Sequence, residues 1–168
     1  MSMPVQLDNW LAARMPIFKE SAVVRAQCLD HAIRAVNPQA VQQLLSLGAE
    51  PDGLPLACTV GYSADPEFSQ FTPLGLTLHL IDMLALQGDK HLAIIQRHVE
   101  SFTLLLCFGA DYDRPHMASS EYASAREHIR AHYPMVADAI DSAFEREDLA
   151  NHLADADLPP NRAGKRKI

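Results

Sequence analysis

Histidine and cysteine are the residues of this 168-residue chain best suited to chemistry, and it holds eight histidines and three cysteines. His128 and His132 stand four positions apart, the spacing that puts two side chains on one helix face, where a pair of histidines can bind zinc. The zinc-protease helix also requires glutamate directly after its first histidine, and Ile129 occupies that position here. We therefore predict no metal site and interpret the histidines as surface or packing residues.

The cysteines suggest a second kind of chemistry. Cys58 lies in a long loop, where a neighbouring histidine would make it a nucleophile, but no flanking signature supports that arrangement. Cys28 and Cys107 fall within apolar helical patterns and are expected to be inert thiols in the core or at its edge. We predict no catalytic residue and no cofactor. The alternative is a small helical hydrolase or metal-dependent enzyme that uses Cys58 or the His128/His132 pair.

The composition is that of one globular domain, with 48% hydrophobic and 21% charged residues. No apolar run approaches the roughly 20 residues of a membrane helix, and no basic segment with an apolar core begins the chain. We expect a cytoplasmic protein without a membrane partner, located in the host cell if it is an injected effector. A net charge of -7 repels phosphate backbones and therefore disfavours nucleic-acid binding.

Two stretches of the chain repeat one sequence pattern. Residues 41–52 and 102–113 each run from an apolar helix with paired leucines into Gly-Ala-acid, with a second aspartate two positions later. Gly48 and Gly109 suit the left-handed conformation that commonly follows a helix end, which other residues enter only with strain. The repetition predicts a helix-turn unit used at least twice.

These segments resemble the ankyrin-repeat family. Residues 29–50 follow its pattern without a gap, residues 71–74 (Phe-Thr-Pro-Leu) supply a second opening, and a weaker third unit lies within 120–140. The resemblance implies an all-α, ankyrin-like helical solenoid of about three repeats with long finger loops. It would comprise an N-terminal helical cap (1–25), a repeat domain (26–154) and a flexible basic tail (155–168). Where the family places histidine after leucine, this chain has Asp30 and Gly75.

Caps and breakers mark the expected helix ends. Asp8 or Asn9 should begin a first helix that Pro16 stops, and residues 21–36 should form the next. Asparagine and proline at 37–38, and threonine and proline at 72–73, have the order of a cap followed by a first helical residue. Ser119 or Ser120 should cap the last helix pair, which breaks at Tyr133 and Pro134.

The long connection at 51–71, which we call the first finger, is the main candidate for a binding surface, since loops of this length are commonly functional or disordered. The resemblance implies a protein-binding module with no chemistry of its own, such as a bacterial effector or a toxin-neutralising partner. Aromatic and arginine side chains are enriched at binding hot spots. The predicted contact residues are Asp52, Tyr62, Phe68 and Phe71 on the first finger, and Asp111, Tyr112, Asp113 and Arg114 on the second finger (111–115).

The acidic residues among this set favour a partner protein with a basic surface. Asp52 and Asp113 have an equally simple structural interpretation, because aspartate also closes turns. Apolar outer helices would permit a homo-dimer as well.

Overall fold

The computed structural model of the chain describes residues 8–57, 65–118 and 120–156, and these residues form an all-α protein, as the sequence predicted. Its helices are α1 (Asn9–Phe18), α2 (Ala22–Arg34), α3 (Pro38–Ser46), α4 (Pro73–Ala85), α5 (Leu92–Cys107), α6 (Ala125–His132) and α7 (Pro134–Ala156), with a single 3-10 turn at Asp89–His91. None of the helices in these described ranges combines the length and apolar character needed to cross a bilayer.

Helix ends follow the capping logic of the sequence. The side chains of Asp8, Asn37 and Thr72 each accept a hydrogen bond from the backbone N–H three residues on, at 2.9, 3.0 and 3.1 Å. This confirms all three predicted caps, each of which satisfies one of the amides that a helix start leaves unpaired. Gly48 and Gly109 have φ of +96° and +90°, which confirms their role after α3 and α5.

Two boundary predictions are wrong. Pro16 does not stop α1 but lies within its last turns, where the missing proline N–H removes only one hydrogen bond near a helix end. The cap of α6 is Ser124, whose hydroxyl accepts from the backbone N–H of Glu127 at 3.2 Å, while the Glu127 carboxylate accepts from the amide of Ala123. Ser120 closes a local turn instead, and Ser119 lies outside the described residues.

The described residues divide into two compact units, with the boundary between residues 128 and 129. In the first unit, α2 and α3 form one helical hairpin, and α4 and α5 form a second. The hairpins pack in register, with α2 against α4 and α3 against α5, while α1 packs on α2. The core consists of apolar side chains from these helices, including Leu29, Ile33, Val41, Leu44, Leu74, Leu76 and Leu105.

Helix α6 ends and α7 begins at the predicted break, and within the second unit the Arg130 guanidinium pairs with the Asp141 carboxylate at 2.6 Å. The predicted division into cap, repeat domain and tail stays a prediction. Residues 1–7 of that cap and 157–168 of that tail lie outside the described residues.

Main-chain hydrogen bonds fold the first finger back on itself and join it to the segment 116–118. The amide of Ala57 donates to the Ser69 carbonyl at 2.8 Å, so the two sides of the finger meet at its base. The amide of Ala118 then donates to the Gln70 carbonyl, and the amide of Thr72 donates to the His116 carbonyl, both at 2.9 Å. The finger base is therefore anchored beside the start of α4.

Candidate functional site

A pocket of about 200 Å³ lies between α2 and the first finger. One wall comes from α2 and the other from the finger and the first residue of α4. The walls mix polar and apolar groups, and the lining residues are Ala26, Gln27, Asp30, Gly53, Leu54, Asp65, Pro66, Phe68, Ser69, Phe71 and Pro73. The pocket therefore joins the predicted finger to a helix face that carries a carboxylate.

Asp30 is the charged group that α2 contributes to this pocket. Its side chain is partly buried, and within the described part of the chain its carboxylate has no hydrogen-bond partner. Burial raises its pKa to about 6, because desolvation penalises the charged form, while the nearby Arg34 guanidinium partly opposes that rise. Asp30 is thus a partly desolvated carboxyl group with no hydrogen-bond partner among the described residues.

The predicted first-finger residues occupy different positions around the pocket. Phe68 and Phe71 line it, and the exposed Phe68 side chain forms part of its rim. The half-buried Phe71 ring packs on the His79 ring with 5.0 Å between centroids. Asp52 lies at the finger base and faces the second finger rather than the pocket. Tyr62 lies outside the described residues.

Asp52 connects the two fingers. One of its carboxylate oxygens accepts from the backbone N–H of Asp111 at 2.9 Å, and the other lies 3.5 Å from the Arg114 guanidinium. Asp111 in turn accepts from the amide of Asp113, which closes a local turn. Asp52 therefore has a structural role, but as a link between the fingers and not as the residue that closes a local turn.

The remaining second-finger residues face inward or toward α6. Tyr112 is only 4% exposed, and its ring meets Phe102 edge-on at 6.3 Å, with the Arg126 guanidinium 4.7 Å from the ring centroid. Asp113 forms a two-point ion pair with the same guanidinium, at 2.6 and 3.2 Å. This finger thus directs Tyr112 and Asp113 into contacts within the chain.

Sequence reasoning missed a buried polar network next to the second finger. Nε2 of His116 and Nδ1 of His128 lie 3.1 Å apart, and Nε2 of His128 is 2.8 Å from the Asp82 carboxylate. His116 is 1% exposed, and burial together with the neighbouring His128 lowers its pKa to about 4, against the opposing effect of Asp82. The three members of the network come from α4, α6 and the segment after the second finger. No short-range spacing in the sequence therefore predicts it.

Gly75 permits the close approach that holds this network. A Cβ built at Gly75 would lie 1.9 Å from the carbonyl oxygen of His116, far inside van der Waals contact. Only glycine therefore lets the backbone at His116 reach the start of α4, where its carbonyl accepts from the Thr72 amide and hydroxyl. The sequence signal was present, since glycine is unusual in an apolar helix start.

The residues of the alternative enzyme hypothesis have separate environments. His128 is buried in the network with Asp82, and His132 is exposed. Cys58 lies outside the described residues, Cys28 is buried as expected, and Cys107 is exposed, contrary to expectation. The described ranges contain no group of three or more histidine, cysteine or acidic residues arranged to hold a metal ion.

A second, larger groove of about 490 Å³ runs between α3 and α5. Glutamine and apolar side chains form most of its walls, which consist of Pro38, Gln39, Gln42, Gln96, Val99, Glu100, Thr103 and Leu104. Its one ionisable residue, Glu100, is exposed to solvent. Size alone does not indicate a ligand, so the smaller pocket, which contains a desolvated carboxylate, is the better candidate site.

Comparison with models of known protein families, with curated protein sequences and with solved structures finds no significant match to this chain. The pocket and the two fingers are the features from which a function can be assigned.

Proposed function

We propose that this chain is a non-catalytic, ankyrin-like protein-interaction module that binds a partner protein of basic character through the first finger and the adjoining face of α2. The resemblance of residues 29–50 and 71–74 to ankyrin repeats supplies the class of function. The partner is a protein. This chain itself would act as a bacterial effector or as a toxin-neutralising protein.

Three structural features support the repeat-like architecture in this proposal. The two hairpins pack first helix on first helix and second on second, which is how helical repeats bury a continuous core. Both second helices end at a glycine with positive φ. Asp52, which follows the end of α3, accepts a hydrogen bond from the backbone of the second finger. The first hairpin is therefore linked to the second through equivalent turns.

The observation that carries the proposed function is the exposed aromatic rim beside a desolvated carboxylate. Phe68 keeps 40% of its surface exposed, and the pocket that it borders contains Asp30. An aromatic anchor next to an unsatisfied charge is typical of a recognition surface, because a partner gains both apolar contact and charge pairing there.

The test compares two phenylalanines of equal exposure. Phe68 and Phe108 are both 40% exposed, but Phe108 follows α5 and does not line the pocket. Proteins retained from native cell extract by wild type, Phe68→Ala and Phe108→Ala would be quantified by mass spectrometry. We expect wild type and Phe108→Ala to retain the same partner in equal amounts. Phe68→Ala should retain about tenfold less of it, or even less, which is the loss expected of an anchor residue.

Equal retention by all three proteins would contradict a first-finger interface. Light scattering of the purified chain, run alongside, would show whether the partner is a second copy. A dimer that Phe68→Ala dissociates and Phe108→Ala does not would place homo-association on the same surface.

A further inference from the structure

The size and the lining residues of the pocket beside Asp30 are suited to binding one chemical group. It is a recess of about 200 Å³ with phenylalanine and proline in its walls and a carboxylate among them. A partly buried carboxylate attracts a cation more strongly than a fully solvated one, because less water competes for the charge.

The charged groups around the pocket have one dominant sign. Asp30 and Asp65 both line it, and no basic side chain is among the lining residues. Arg34, one helical turn from Asp30, is exposed and makes no ion pair with it in the described residues. Asp65 already accepts from the amide of Glu67 at 3.0 Å, so Asp30 is the carboxylate that a ligand would complete.

We propose that this pocket receives an arginine side chain of the partner protein, with the guanidinium group against Asp30 and the aliphatic stem along Phe68 and Pro66. This inference rests on the proposed function, and it names the chemistry that the interaction module recognises. The pocket takes one side chain, and the exposed finger around it takes the neighbouring surface of the partner.

Arginine fits these walls better than lysine. The guanidinium group is planar and weakly hydrated, stacks on aromatic rings and can donate two parallel hydrogen bonds to one carboxylate. An ammonium group would lose more hydration on entering a recess bordered by phenylalanine and proline. The pocket therefore selects for a flat cation with an apolar stem.

The test uses small probes on the full chain. Isotope-labelled protein at pH 7.5 would be titrated with N-acetyl-arginine amide, and separately with the corresponding lysine and citrulline compounds. Citrulline matches arginine in shape but is neutral, so it isolates the charge. We expect saturable NMR shifts at the pocket-lining amides of Gly53, Leu54 and Ser69 with arginine, weaker ones with lysine, and none with citrulline.

Two variants assign the effect to Asp30. Asp30→Asn keeps the shape and removes the charge, and we expect its arginine affinity to fall by about tenfold or more, as on removal of one partner of a desolvated charge pair. Glu67→Gln removes an exposed carboxylate from the same finger that does not line the pocket, and it should leave the affinity unchanged. In wild type, bound arginine should also lower the measured pKa of Asp30, because a cation favours its charged form.

Equal responses to arginine and citrulline, an absence of saturable shifts, or unchanged affinity in Asp30→Asn would each overturn the arginine site. The probe comparison on wild type decides the matter even if Asp30→Asn were to fold poorly. Failure here is distinguishable from failure of the proposed function. A partner lost by Phe68→Ala but fully retained by Asp30→Asn would keep the interaction module and eliminate the arginine pocket.

Discussion

Asp30 and His116 are both titratable side chains that burial drives toward their neutral forms, yet their surroundings differ. His116 is enclosed by the first unit, with its Nε2 in hydrogen-bond contact with His128 and its carbonyl held at the start of α4. Asp30 borders a pocket and has no hydrogen-bond partner among the described residues. Burial with a partner stabilises a fold, whereas burial without one, at an open pocket, leaves interaction energy for a ligand. The comparison predicts that changes on the His116 side affect stability and changes on the Asp30 side affect binding.

The largest effect on stability should come from Gly75→Ala, which disturbs the packing of the backbone at His116 against the start of α4. The added Cβ would meet the backbone carbonyl of His116, which a side-chain rotation cannot relieve. We expect the free energy of unfolding in urea to fall by about 3 kcal/mol, the upper end for overpacking. Gly88→Ala is the matched control: it meets no atom within 4 Å but has φ of +86°, so it should lose only about 1 kcal/mol. A Gly75→Ala protein as stable as wild type would contradict the close approach.

Asp82→Ala should have the next largest effect, because it removes the carboxylate that orients His128. A buried histidine left without its charged partner is expected to lower the free energy of unfolding by about 2 kcal/mol. Asp138→Ala removes an exposed carboxylate from α7 and should change stability by no more than about 0.5 kcal/mol. Equal effects of the two substitutions in urea unfolding would show that the network does not stabilise the fold.

The pH dependence sharpens the comparison, because the two groups have opposite signs. The folded pKa of His116 is lowered from 6.5 to about 4, so its contribution to stability is lost as the pH falls below 6.5. The folded pKa of Asp30 is raised from 3.8 to about 6, so its contribution is fully present below 3.8 and is lost as the pH rises through 6. Between pH 7 and 4.5 the two therefore oppose each other, with the lowered pKa of buried His98 adding to the acid loss.

Variants separate these opposing contributions. Relative to wild type, Asp30→Asn should lose about 2 kcal/mol more stability on acidification from pH 7 to 4.5, and His116→Asn should lose about 2 kcal/mol less. Urea unfolding at both pH values measures each difference, whatever the stability of each variant at pH 7. Parallel pH profiles for all three proteins would refute the assigned pKa directions.

Phe68→Ala should have the smallest effect on stability, although it is the variant expected to weaken partner binding by about tenfold or more. Its ring is partly exposed at the pocket rim, so truncation should lower the free energy of unfolding by about 0.5 kcal/mol or less. Thermal unfolding would measure this change beside the retention experiment. A large loss of stability would mean that the ring packs in the core, and that any loss of partner reflects unfolding.

The sequence predicted the local features of this fold well. Caps at Asp8, Asn37 and Thr72 and helix ends at Gly48 and Gly109 depend on residues within one turn, and the structure confirms them. Pro16 was misjudged because the same residue that breaks a helix interior is tolerated near its end. The cap at Ser124 carries a readable Ser-x-x-Glu signal, a capping-box pattern that lies close to the predicted caps Ser119 and Ser120.

The candidate site could be predicted only in part, because it is built from distant residues. Loop length and residue type predict the first finger and Phe68. Asp30, on the opposite wall of the pocket, lies on a helix whose periodicity does not indicate a pocket. Asp82 and His128 are 46 positions apart, and no spacing rule reaches that far. Asp30 and Gly75 were nonetheless visible as departures from the ankyrin pattern, and these positions proved structurally distinctive.

The carboxylate of Asp52 also bears on how quickly this protein folds and unfolds. It reaches the amide of Asp111 across 59 positions of sequence, whereas each helical hairpin closes through contacts between near neighbours. Local contacts form early in folding and distant ones later, because long loops close at a greater entropic cost. A contact made after the transition state slows unfolding but does not speed folding. Asp52 is therefore expected to act mainly on the lifetime of the native state, holding the two fingers together once both hairpins have formed.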